Sequence, residues 1–331
     1  MAKMKNDTLQ KMIARGLTGP FRMDSFKLGY GSFIKGDVNL GENVKIGHGT
    51  TIIAENGRIT LEDKVRVGNN ITIECEEGED YIGYNVHIKS GSRLGSNISI
   101  GEECELGFNT IIEKNARIGK RNKFSNCTIA SPAQDLRDKG YGEVIIGDDN
   151  KITEYVVINR GTFNGGGKTI IGNRNNIFSQ IHIAHDCIIG NNTEIITMAG
   201  LAGHVVVEDY VRISGQVGVA PWVHIGEGAF VGGQSGVIGN VLPYSRVDGS
   251  PAFLSGINFE RLKRLYGLEW KKAYREIKNV YEFVKNKKYS DDDLKYILRH
   301  SVSKPAKKIA KFMENLNPRC KEILRFGRSG G

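Results

Sequence analysis

The chain has 331 residues, of which 39% are hydrophobic and 25% charged, a balance that excludes a disordered chain and provides for a large core. Gly stands at 42 against only 7 Pro, which excludes collagen and points to many tight turns in a repeating all-β body. The five cysteines are scattered without a C-x-x-C, and no apolar run reaches the length of a spanning helix, so reduced thiols in a cytoplasmic protein are expected, with membrane contact at most peripheral.

The formal net charge of +9 is unevenly placed. From Asn258 to Gly331 twenty Lys and Arg stand against nine Asp and Glu, whereas everything before carries 26 against 28. The basic character belongs to the tail, which suggests an acidic partner.

Residues 1–24 form a polar N-terminal segment in which Thr8 to Ala14 predict a short helix ending before Gly16. From residue 25 a branched aliphatic recurs at every sixth position: Leu28, Ile34, Leu40, Ile46, Ile52, then Leu61, Val67, Ile73, and Ile82 through to Phe124. The register slips at Glu55-Asn56-Gly57 and again across Glu74 to Asp80. Between Ile171 and Val237 it runs without a miss. Neither a helical period nor simple alternation produces this spacing; a hexapeptide β-helix does, with three short faces and about 18 residues per coil. The every-sixth residues stack into a shared interior.

Two segments break the repeat. Residues 130–143, beginning Ala130-Ser131-Pro132-Ala133-Gln134-Asp135, read as an insertion loop, the kind of place where a rigid scaffold carries binding groups. Asn159 to Thr169 ends in Gly-Lys-Thr, yet it is not a phosphate loop, because Thr162 stands where the pattern needs its first Gly and no crossover helix follows. After residue 249 the period changes towards 3.6, through Leu262, Leu265, Tyr266 and then Ile277, Val280, Tyr281 and Val284. Helix starts at Ser290 and at Pro305 complete a basic α-helical domain over 250–331.

His182 and His185 flank the repeat residue Ile183, and His204 follows His185 by 19 residues, about one coil. Three readings follow from the residues. The histidines have no role and the prism is a scaffold; or three imidazoles bind zinc, as in a metal-dependent, carbonic anhydrase-like hydratase; or His185 is a general base tuned by Asp186.

The segments Gln180 to Cys187, Asn159-Arg160-Gly161-Thr162 with Gly165 to Thr169, Leu201-Ala202-Gly203-His204, Gln134-Asp135-Leu136 and Gly256 to Arg264 stand in one order and spacing. Together they resemble the UDP-N-acetylglucosamine O-acyltransferases of lipid A biosynthesis. The resemblance implies a left-handed parallel β-helix over 25–249, a homotrimer, and transfer of a 3-hydroxyacyl chain from acyl carrier protein to the sugar 3-position. It implies His185 as base, Asp186 as its orienting group and the Gly203 N–H as oxyanion donor. Gln134, Asp135, Arg137, His182, His204, Asn258, Glu260 and Arg264 match substrate-binding positions, and Gly233 the acyl-chain end. No cofactor, metal or nucleic acid is implied. Ala220-Pro221-Trp222, Arg137 and Asn159 depart from the family pattern, and Gln216 to Ala220 is closer to the related N-acyltransferase. That leaves a UDP-3-acyl-glucosamine or a 3-amino sugar as the alternative acceptor.

Overall fold

In the computed structural model the six-residue repeat becomes three walls of stacked short strands. Residues 11–18, 21–23, 26–136, 142–285, 295, 299, 304–316, 318–320 and 322–324 are described. The chain divides into two compact units, one formed by the residues up to Gln180 with Ala184–Asp186, the other by Ile181–Ile183 and the residues from Cys187 onward.

In the first unit the repeat residues pair in parallel, each with its counterpart one coil on. One wall carries Leu28, Ile46, Val67, Ile88, Leu106, Phe124, Ile152 and Ile177 in register. A second carries Ile34, Ile52, Ile73, Leu94, Ile112, Ile129 and Ile158. These side chains are almost wholly buried, so each stabilises the unit by about 2 kcal/mol through apolar area removed from water. At the start, Leu17–Thr18 pairs antiparallel with Phe33–Ile34, and Ile13 and Leu17 are buried.

The predicted slips take a different form. Thr51–Leu61 and Thr72–Ile82 are continuous strands, and Ala54 pairs with Cys75, Asn56 with Glu77 and Arg58 with Glu79. Adjacent coils bearing the same three-residue addition extend the ladder, because each supplies the backbone partners the other needs. The strand before the loop also reaches Ser131, with Ala130 fully buried at φ 61. The loop therefore starts at Pro132, just after a register shift between Ile129 and Ser131.

The second unit repeats every 18 residues from Ile183 to Val237: Ile183, Leu201, Val219 and Val237 on one wall, Ile189, Val207 and Ile225 on another, Ile195, Ile213 and Val231 on the third, where Val247 then pairs with Val231 after a shorter step of 16 residues. Corner residues take left-handed backbone at six-residue spacing, among them Asn192, Met198, His204, Tyr210, Gln216 and Trp222. An antiparallel pair, Ser245–Asp248 with Phe253–Ile257, ends the coils. Helices α1 (Phe259–Tyr266), α2 (Trp270–Lys285) and α3 (Lys304–Glu314) follow. α2 buries Ala273, Ile277, Val280, Tyr281 and Val284, and α3 buries Ile309, Phe312 and Met313, the spacing of one apolar stripe on each. The helix start at Ser290 lies outside the described residues. No described helix is long and apolar enough to cross a membrane.

Candidate active site

Asp186 is held by several hydrogen bonds in the first unit's candidate site. It is 5% exposed and stands at a corner with φ 59. Its Oδ2 lies 2.9 Å from His185 Nδ1. The Thr162 backbone N–H donates to both carboxylate oxygens at 3.0 and 3.1 Å, and the Thr162 hydroxyl donates to Oδ2 at 2.6 Å. The Asp186 N–H in turn donates to Thr169 Oγ1 at 2.9 Å. A carboxylate surrounded by donors stays an acceptor, so the proton of neutral His185 sits on Nδ1 and the lone pair on Nε2. That is the tautomer a general base needs.

The Gly-rich segment supplies this geometry. Gly165 and Gly167 donate to the Thr162 carbonyl at 3.3 and 2.9 Å, turning the chain back on itself. A Cβ at Gly165 would stand 2.2 Å from Asp186 Oδ2, so only Gly lets the turn close over the carboxylate. Asn159, fully buried, donates from Nδ2 to Ser131 Oγ and to the Pro132 carbonyl, both at 2.8 Å. It thus ties down the root of the loop carrying exposed Gln134 and half-buried Asp135. Arg137 lies outside the described residues.

In the second unit, half-buried His182 pairs in register with Gly200, Gly200 with Gly218, and Gly218 with Gly236. A Cβ at Gly200 or Gly218 would meet nothing within 4 Å, so His182 heads a bare strip of backbone. A second strip runs through Gly215 and Gly233, where a Cβ at Gly233 would meet only the Gly215 carbonyl oxygen, at 3.4 Å. Buried Gly203 accepts the Trp222 N–H at 3.2 Å. His204 stacks on Trp222 with centroids 3.6 Å apart and planes at 6°.

The remaining expected residues are placed as follows. Asn258 caps α1, its Oδ1 accepting the Arg261 N–H at 3.2 Å, and its Nδ2 donates to the Gly228 carbonyl at 2.9 Å. Its amide is thereby engaged in the scaffold. Glu260 is exposed and pairs with Lys263 at 3.1 Å, while Arg264 is exposed on α1.

With this geometry in view, relatives identify the chain. The acyl-(acyl-carrier-protein) UDP-N-acetylglucosamine O-acyltransferase of Aliarcobacter butzleri is 36% identical over 254 residues, covering 70% of this chain and 95% of that protein. The chain belongs to this family. The enzyme of the same name from Syntrophobacter fumaroxidans is 44% identical over 106 residues, 31% of this chain and 41% of that protein. Among solved structures, the UDP-N-acetylglucosamine acyltransferase of Francisella novicida has a TM-score of 0.68 at 28% identity, covering 85% of this chain and 95% of its own. LpxA from Acinetobacter baumannii has a TM-score of 0.69 at 26% identity, covering 74% and 95%. No protein-family model matches the chain. The protein is therefore an acyltransferase built on a left-handed parallel β-helix followed by a helical region, an exception to the usual right-handed crossover.

Two features of this O-acyltransferase family member were not singled out as site residues by sequence. Thr162 and Thr169 hold Asp186, and the signal was the Gly-rich segment itself: rejecting the phosphate reading left open where its donors go. Trp222 faces His204 because the two are 18 residues apart, one coil, at equivalent corners.

Proposed function

We propose that this protein transfers a 3-hydroxyacyl chain from acyl carrier protein to the 3-hydroxyl of UDP-N-acetylglucosamine in lipid A biosynthesis, acting as a homotrimer in the cytoplasm. The observation that carries the reading is the Thr162–Asp186–His185 chain of hydrogen bonds, which leaves Nε2 as the acceptor for a hydroxyl proton. As Nε2 takes that proton, the sugar oxygen attacks the thioester carbonyl. The Gly203 N–H donates a hydrogen bond to the developing oxyanion, where a single donor is worth about 3 kcal/mol. Collapse of the tetrahedral intermediate breaks the C–S bond, and the imidazolium returns the proton to the departing thiolate. Asp186 stabilises the imidazolium formed between the two steps.

The bare strips of the second unit support an acyl chain lying along the coils. His182 heads one and Gly233 lies on the other, so Gly233 is assigned as the position that limits chain length. His204, Gln134, Asp135, Arg137, Glu260 and Arg264 are assigned to the nucleotide sugar, and Asn258 to tying the start of α1 to the Gly228 carbonyl. The basic tail offers charge complementarity to an acidic carrier protein.

Mass spectrometry of products formed from UDP-N-acetylglucosamine and a series of acyl carrier protein thioesters tests the reading. A singly acylated nucleotide sugar, O-linked and therefore cleaved by mild base, is expected. An amide product from a glucosamine or 3-amino acceptor, or no acylated sugar at any chain length, would overturn it.

A further inference from the structure

The C-terminal segment is built into the second unit. On α3, Lys308 Nζ lies 2.7 Å from Glu227 and 3.8 Å from Glu208, and the Phe312 ring lies 4.4 Å from that of His224. Beyond α3 the fully buried Asn240 holds the chain, forming an isolated parallel bridge with Ile323. Its Nδ2 donates to the Cys320 carbonyl at 2.6 Å, its N–H to the Glu322 carbonyl at 2.7 Å, and its carbonyl accepts the Leu324 N–H at 3.0 Å.

These bonds fix the position of Arg319, next to Cys320. The Arg319 guanidinium carbon lies 4.3 Å from the centroid of the Trp222 ring, the same ring that stacks on His204 at 3.6 Å. Two groups this close to one centroid must take opposite faces. Guanidinium, indole and imidazole therefore form one pile, with the cation against the electron-rich face of the indole. Trp222 and His204 both sit at left-handed corners, φ 67 and 63, and both are half-buried. Arg319 reaches the pile from an exposed turn beside Cys320, whose carbonyl Asn240 holds.

We propose that Arg319 is a positioning residue for the acceptor: it holds Trp222 flat on His204 and so sets the orientation of an imidazole that contacts the nucleotide sugar. This rests on the assignment of His204 to substrate made above. The C-terminal segment is then part of the site's wall.

The test compares Arg319→Ala, Arg319→Lys and His204→Ala in a Trp270→Phe background, where Trp222 is the one tryptophan left of the chain's two. Steady-state kinetics with UDP-N-acetylglucosamine and acyl carrier protein thioester are read beside Trp222 emission. Arg319→Ala is expected to raise KM for the sugar about tenfold with kcat within about twofold, and to shift Trp222 emission. Arg319→Lys keeps a cation and is expected to recover most of the loss. Arg319→Ala added to His204→Ala should raise KM no further. Unchanged KM in Arg319→Ala beside a raised KM in His204→Ala would overturn the role of Arg319 alone. Equal losses in the Lys and Ala variants, with a lowered Tm, would reduce it to fold maintenance. Unchanged KM in His204→Ala would remove the substrate assignment of His204, and this proposal with it.

Discussion

Each unit buries a six-residue aliphatic repeat of the same kind, and the two differ in what they carry on the outside. The walls of the first unit carry ion pairs between coils: Arg93 with Glu74, Lys120 with Glu102, and Arg117 and Lys168 with Glu143. The second unit has, beside its own pairs, bare glycine strips through Gly200 and Gly218 and through Gly215 and Gly233, together with an aromatic pile. Exposed pairs contribute at most about 1 kcal/mol each, so they are not what keeps the first unit folded. The difference teaches that the six-residue repeat sets the scaffold, and that outward positions are free to be either solvated or cleared for a ligand.

If the first unit supplies the proton transfer, His185→Ala should lower kcat by about 10²–10⁴ with little change in Tm. Asp186→Asn should cost nearly as much, because an amide can donate to Nδ1 and stabilise the wrong tautomer. Full activity of His185→Ala in a steady-state assay would sink the general base. Loss of activity on treatment with a chelator, restored by zinc, would favour the hydratase-type metal reading.

A second prediction concerns stability within the first unit. Asp80 is 2% exposed, its Oδ1 accepts the Ile98 N–H at 2.8 Å, and its Oδ2 has no hydrogen-bond partner among the described residues. Burial pushes its carboxyl from 3.8 up to about 7. The folded state thus binds a proton that the unfolded state has released, so this contribution is whole below about pH 4, declines as pH rises to about 7, and is flat above. The loss amounts to at most about 4 kcal/mol. Asp80→Asn keeps the acceptor for Ile98 and cannot ionise. It should flatten the decline of Tm between pH 4 and 7 and raise Tm at pH 8; an unchanged pH profile would show that Asp80 stays charged.

Thr162→Val should be milder than either site substitution, lowering kcat about tenfold while the backbone N–H of residue 162 still holds Asp186. A loss equal to that of Asp186→Asn would mean that the hydroxyl, rather than the backbone, fixes the carboxylate.

How much could be read beforehand follows the same division. The interior was legible residue by residue, because one branched aliphatic per strand is a demand that packing imposes and a sequence cannot hide. Ile183, Leu201, Val219 and Val237 pair as their spacing predicts. The His185–Asp186 pair was legible from adjacency, but the donors on Asp186 come from Thr162 and Thr169 across a turn, and sequence distance does not reveal which side a Gly-rich turn closes on. Arg319 was least legible: it lies 97 positions after Trp222 in the numbering, and the bonds that place it run through Asn240, which the repeat marks only as an ending.

The smallest expected effect tests the second unit's bare strip. An added side chain at Gly233 meets only the Gly215 carbonyl oxygen, at 3.4 Å, an ordinary contact, and Gly233 has no positive φ that would strain an L-residue. Gly233→Met should therefore fold normally and leave its flexible chain standing over the strip. If acyl chains lie there, the variant should favour donors shorter by several methylenes, changing the ratio of kcat/KM between long and short thioesters about tenfold, the discrimination an apolar pocket commonly supplies. Competition between two chain lengths in one reaction, read by mass spectrometry, measures that ratio directly. A ratio equal to the parent's would mean that the strip is bare for another reason, and that the contrast between the units concerns packing rather than substrate.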